Sequence, residues 1–141
     1  MNKDSALSDL RAKGFRLTKV RKEMVRIFSE NSCPISANEI EKKLISSKSS
    51  ANKTTVYREI KFLLNNGYIV EARIHPNEIS YESAELKHHH HLVCDSCGSV
   101  DSFANCIADE LEEDIYKKKG FKIKRHTFEL YGTCSSCERK N

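Results

Sequence analysis

The sequence predicts an α+β chain in which an N-terminal winged helix-turn-helix is followed by a small α/β domain holding a four-cysteine zinc site. Three observations lead there: helical periodicity that gives way to a β-hairpin near residue 67, two Cys-x-x-Cys pairs late in the chain, and a lopsided distribution of charge. Residues 1–73 carry 15 Lys/Arg against 8 Asp/Glu, a net +7, and contain one cysteine, Cys33, and no histidine. The rest of the 141 residues carry a net −3, all six histidines and the other five cysteines. A basic half poor in ligands joined to an acidic half rich in them suggests one module that meets polyanions and another that binds metal. The composition changes near Arg73-Ile74-His75-Pro76-Asn77, which sets the domains as 1–73, with wing and hinge extending to about 84, and 85–141.

The elements of the first half follow in order. Leu7 to Lys13 reads as a short helix ended by Gly14, a residue suited to the left-handed position after a helix. Thr18 caps a second helix whose Val20, Met24, Ile27 and Phe28 gather on one face. Ser36 and Glu39 form a capping box for a third, with Ile40 and Leu44 as its buried stripe. The fourth, Lys53 to about Asn66, turns Val56, Ile60, Leu63 and Leu64 inward. At 100° per residue this directs Thr54, Tyr57, Arg58 and Lys61 outward, with only Glu59 near them. A cationic, aromatic, hydrogen-bonding face suits phosphate contact and base readout in a major groove better than mere solubility does. After Gly67, the segments Tyr68–Ile74 and Glu78–Glu82 read as two strands around a Pro76-Asn77 turn, which completes a winged helix.

The second half is organised by metal ligands. Cys94-Asp95-Ser96-Cys97 and Cys134-Ser135-Ser136-Cys137 are separated by 36 residues. Two such pairs supply the four thiolates of a structural zinc, whereas six cysteines in a chain with no apolar signal core are otherwise expected to stay reduced. His88-His89-His90-His91 runs into the first knuckle. If that segment is a strand, His88 and His90 face one way and His89 and His91 the other, so that one strand serves two sites. His126 falls in a second alternating stretch, Phe121 to Gly132, where its bland reading is a core histidine. Between them Ala104 to Lys119 is expected to be helical, with Ile107, Leu111 and Ile115 inward and Asp109 or Glu110 free to supply an oxygen ligand.

Thr54-Thr55-Val56-Tyr57-Arg58, the histidine run before Cys94-x-x-Cys97-Gly98, and Gly120-Phe121…His126…Leu130-Tyr131-Gly132-x-Cys134-x-x-Cys137 resemble the ferric-uptake-regulator (Fur) family of bacterial metal-responsive repressors, from about Gly14 to Cys137. The resemblance implies a homodimer that binds a double-stranded, palindromic DNA operator through the winged helix and handles metal and dimerisation through the C-terminal domain. It implies structural Zn2+ at Cys94, Cys97, Cys134 and Cys137, a regulatory hinge site of Cys33, Glu82, His89 and His91, and a further site of His88, His90, Asp109 and His126. On the DNA side Tyr57 and Arg58 match the family's major-groove residues and Arg16 a minor-groove contact; Thr54 and Lys61 share the exposed helix face.

The chain departs from the family in places. Cys33 stands where iron and peroxide sensors usually have His, and thiolate is a softer ligand better suited to zinc. Asp109 stands where Glu is common. Ala84 occupies the position of a cysteine found in many zinc sensors, and Arg58 and Ser102 replace residues that peroxide sensors use. Ferrous iron is placed ahead of zinc as the regulatory metal on family frequency alone, with manganese a third candidate. The expected function is a cytoplasmic, metal-responsive repressor with no membrane and no small-molecule substrate among its partners. A zinc-dependent hydrolase or deaminase acting on nucleic acid is the reading from another class. The sequence has no His-x-Glu ahead of a Pro-Cys-x-x-Cys, and a zinc held by four thiolates is closed to water. A zinc-ribbon adaptor that senses nothing would leave four histidines unused.

Overall fold

The computed structural model describes the chain except residues 50, 76, 77, 87, 105, 107, 127, 140 and 141 and the side chains of residues 75, 109 and 110. The Pro76-Asn77 turn, the inward Ile107 and the carboxylates of Asp109 and Glu110 therefore lie outside the described residues. The chain divides into two units, Met1–Leu86 and Lys87–Asn141.

In the first unit, helices α1 (Lys3–Ala12), α2 (Lys19–Glu30), α3 (Ala37–Ser46) and α4 (Lys53–Asn65) pack with strands β1 (Ile35–Ser36), β2 (Ile69–His75) and β3 (Glu78–Ser83). Each helix begins where a side chain satisfies an orphan amide. Thr18 Oγ1 accepts from Arg21 N at 3.1 Å and Asn52 Oδ1 from Thr55 N at 2.8 Å. Ser36 and Glu39 complete both halves of the expected capping box. The first helix starts at Lys3 rather than Leu7 because Asn2 caps it, accepting from Asp4 N and Ser5 N. The positive φ of 72° at Gly67 turns the chain out of α4 and into β2.

Leu10, Met24, Ile27, Phe28, Ile40, Leu44, Val56, Ile60, Leu63 and Ile69 fill one core, so the apolar stripes of all four helices converge. The sheet order is β1-β3-β2. The two-residue β1 carries no periodicity that a sequence could show. Its pairing, Ile35 opposite Tyr81 and Ser36 opposite Ser80, brings the chain that leaves Cys33 towards the end of β3 that bears Glu82.

The second unit contains strands β4 (His90–Cys94), β5 (Val100–Phe103) and β6 (Glu129–Gly132), helix α5 (Ala108–Lys119) and the short α6 (Ser135–Glu138), with sheet order β5-β4-β6. Three expectations need correction, the first being the helix expected from Ala104, which begins at Ala108. The strand expected over Phe121–Gly132 is limited to Glu129–Gly132, because its only described partner is β4, whose pairing with β6 starts at His91 opposite Glu129. Leu111, expected inward, is 48% exposed; that part of the helix face finds no cover within the described residues of this chain.

Candidate metal centres and nucleic-acid face

The parallel ladder between β4 and β6 builds the first centre. Leu92 lies opposite Leu130 and Cys94 opposite Gly132, so both strands end at the same level and each runs directly into a Cys-x-x-Cys knuckle. Asp95 N donates to Gly132 O at 2.8 Å and locks the two exits together. The sulfurs of Cys94, Cys97, Cys134 and Cys137 all lie within 4.8 Å of one another. Cys97 Sγ is 3.9 Å from Cys134 Sγ, close to the edge of about 3.8 Å that Zn–S bonds of 2.3 Å give a tetrahedron.

The donors around the sulfurs prepare them for a cation. Cys134 N donates to Cys94 Sγ at 3.3 Å, and amide donation of this kind lowers the Cys94 thiol to about 6. The Ser99 hydroxyl, 3.2 Å from Cys97 Sγ, likewise holds that thiol below its ordinary value. Cys137 is pushed up to about 12 by hydrogen bonds with Cys134 and Cys97 in which its thiol is the donor. An arrangement that crowds four sulfurs and favours thiolate at two of them fits zinc, and four protein ligands leave no open position.

The histidine run divides as strand alternation requires. His89 and His91 rings lie 4.8 Å apart on one side. On the other side, His88 Nε2 is 3.2 Å from His90 Nε2 and 2.8 Å from His126 Nε2. Cys106 Sγ joins them, 3.1 Å from His126 Nε2. Burial lowers the pKa of His90; the residue is 1% exposed, with Phe103 and Phe128 within 5.3 Å. His126 Nδ1 meets Glu112 Oε1 at 2.8 Å. The sequence points to His88, His90 and His126, and the structure brings to them Cys106 and Glu112, neither of which the sequence marks as their partner. Only a three-dimensional fold shows either, since no short spacing links residues 88, 106, 112 and 126. Of the expected hinge ligands, the half-buried Cys33 and Glu82 belong to the first unit, and His89 and His91 to the second.

On α4, Thr54, Tyr57, Arg58 and Lys61 are all exposed, and so is Arg16 before α2. Glu59, the one acid expected near this face, is turned inward: Arg21 Nε donates to its Oε2 at 2.8 Å and Nη2 to its Oε1 at 3.1 Å. Arg21 stacks on Phe62, its guanidinium 3.6 Å from the ring centre. The bidentate pair removes a negative charge from a surface left cationic and aromatic, which favours approach of a polyanion.

The ferric uptake regulator family model matches residues 12–131. The ferric uptake regulation protein of Synechococcus elongatus is 29% identical over 138 residues, covering 96% of this chain and 94% of that protein. Among solved structures, the Helicobacter pylori ferric uptake regulator has a TM-score of 0.82 over 98% of this chain and 95% of its own, at 23% identity, a likeness of fold. A zinc-bound manganese uptake regulator has a TM-score of 0.77 at 27% identity over 91% of this chain and 98% of its own.

Proposed function

Since the chain belongs to the ferric uptake regulator family, whose members are transcriptional regulators and not enzymes, we propose that it is a homodimeric repressor that binds a palindromic DNA operator when its hinge holds a divalent metal. The observation that carries this reading is the outer face of α4, where Thr54, Tyr57, Arg58 and Lys61 stand exposed and Glu59 is withdrawn into its pair with Arg21. Tyr57 and Arg58 read base edges in a major groove, Lys61 pairs with a phosphate, and Arg16 reaches the backbone or minor groove beside it.

Cys94, Cys97, Cys134 and Cys137 would hold the structural zinc, which when bound supplies the cross-link that keeps the two knuckles together. Cys33 and Glu82 from the first unit and His89 and His91 from the second would hold the regulatory ion. Their mixed sulfur, oxygen and nitrogen donors suit ferrous iron or zinc, and manganese less well. By gripping one ion from two units, these residues would fix the winged helices at the spacing of two half-sites. The effect is bounded by the difference in metal affinity between the DNA-competent and free arrangements. Exposed Leu92 and Leu130, neighbours across the β4–β6 ladder, and exposed Tyr131 and Phe121 support a second copy packing on this unit. Among the described residues no helix is long and apolar enough to cross a membrane.

The test is a DNA-binding titration of zinc-loaded full-length protein against palindromic duplexes, with each of Fe2+, Zn2+ and Mn2+ in turn. Tightening of at least tenfold by one metal is expected. The same affinity with and without every metal would contradict the proposal.

A further inference from the structure

Three imidazole nitrogens and one sulfur converge on a single point in the second unit. His88 Nε2 is 2.8 Å from His126 Nε2 and 3.2 Å from His90 Nε2, Cys106 Sγ is 3.1 Å from His126 Nε2, and all four ligand atoms lie within 4.8 Å of one another. A tetrahedral zinc with Zn–N of 2.0–2.1 Å and Zn–S of 2.3 Å requires edges of about 3.3 Å between nitrogens and about 3.6 Å between nitrogen and sulfur. The observed edges therefore need to open by roughly half an ångström at most. We infer that Cys106 is the fourth ligand of a closed His3Cys site with His88, His90 and His126, a thiolate site for a borderline-soft divalent cation such as zinc.

This goes beyond the regulatory hinge, with which it shares no residue, and rests only on the reading that the C-terminal unit binds metal.

The surroundings are those of a built site. Glu112 Oε1 lies 2.8 Å from His126 Nδ1, and a carboxylate there fixes the tautomer that leaves Nε2 free to coordinate. Ala108 N, the first amide of α5, donates to Cys106 Sγ at 3.4 Å, which holds the sulfur in place at the start of a 12-residue helix. His90 is sealed beneath Phe103 and Phe128, while a cleft lined by His88, Cys106, Glu112, Ile123 and His126 leaves an entry path from solvent. With sulfur in place of an oxygen donor, the site selects zinc or cobalt over manganese and ferrous iron.

Cobalt is the probe, because a Co2+–thiolate bond gives a near-ultraviolet charge-transfer band that nitrogen and oxygen ligands do not. Full-length protein retaining one zinc per chain at the four-cysteine site, and carrying Cys33→Ala so that the hinge offers no sulfur, is titrated with Co2+. The expected result is a thiolate band accompanied by tetrahedral visible bands. The thiolate band is lost in C33A/C106A and kept in C33A/D109N, and Glu112→Gln weakens cobalt binding by about 10–100-fold. Cobalt uptake by the C33A chain without a thiolate band, no uptake at all, or a band that survives C106A would overturn the assignment. The first of these needs no Cys106 variant and so does not depend on how that variant folds. Identical wild-type and C33A spectra would instead count against Cys33 as a hinge ligand and leave the Cys106 site standing.

Discussion

Glu59 changes meaning once the fold is known. On a helical projection it borders the basic face of α4 and blurs it; in the structure it is 6% exposed and held by two hydrogen bonds from Arg21. The side chains of both partners are nearly out of solvent, at 12% and 8%, so removing one leaves a charge that neither water nor the core can satisfy. Arg21→Ala is expected to destabilise the first unit by about 3 kcal/mol in a denaturant melt, and the double replacement Arg21→Met/Glu59→Leu to cost much less. Equal stability of the single variant and the wild type would mean that the pair is solvated. On the exposed side of the same helix, Tyr57→Ala is expected to weaken specific operator binding by about 1–3 kcal/mol. Lys61→Ala should weaken all duplexes alike and reduce the salt slope by about 1. Anisotropy titrations at several salt concentrations separate the two, and indifference of both variants would remove α4 from the interface.

At the scale of elements, the β4–β6 ladder and the two knuckles act as one device. The parallel register delivers Cys94 and Cys134 to the same end of the sheet, and the sulfurs then stand close enough for one ion. Cys137→Ser is expected to lose about one zinc per chain and to unfold this small unit, since structural zinc free energy is folding free energy. Metal analysis and circular dichroism check both parts, and a variant that keeps its zinc and its fold would refute the four-cysteine site.

How far the elements were legible depends on the physics behind each. The stripes of Met24, Ile27 and Phe28, of Ile40 and Leu44, and of Val56, Ile60 and Leu63 were readable because a buried helix face repeats every turn. The knuckles were readable because zinc chemistry fixes a two-residue spacing. The early start of α1 is not legible in the sequence because a single Asn cap is a weak signal beside Lys3 and Asp4. The strand expected from Phe121 is shorter in the structure because alternation over Phe121–Phe128 does not show that the ladder with β4 begins only at His91 opposite Glu129. Cys106 and Glu112 come to His126 from positions 20 and 14 residues away, a tertiary fact with no local signature.

At the scale of the whole molecule, the chain joins a basic unit of residues 1–86 to a unit of residues 87–141 that carries the candidate metal ligands, and the function proposed for it requires the two to communicate. Cys33 and Glu82 at one end and His89 and His91 at the other are the residues through which a single ion would join them. Cys33 is the telling member: as a half-buried thiol between α2 and β1, it is either a small apolar residue or the sulfur ligand of the switch. Cys33→His is expected to keep a metal response but to move its preference from zinc towards ferrous iron or manganese, because imidazole is the harder donor. Parallel titrations of the two proteins with these metals would read the shift, and an unchanged order of preference would mean that residue 33 does not touch the ion.

The measurement that bears most directly on the coupling is operator binding by Cys33→Ala, in the full-length protein with its structural zinc retained, as a function of added divalent metal. The predicted result is an intact fold, zinc content and dimer, with operator affinity that no longer changes when metal is added. A Cys33→Ala protein whose operator affinity rises with metal as steeply as that of the wild type would contradict it.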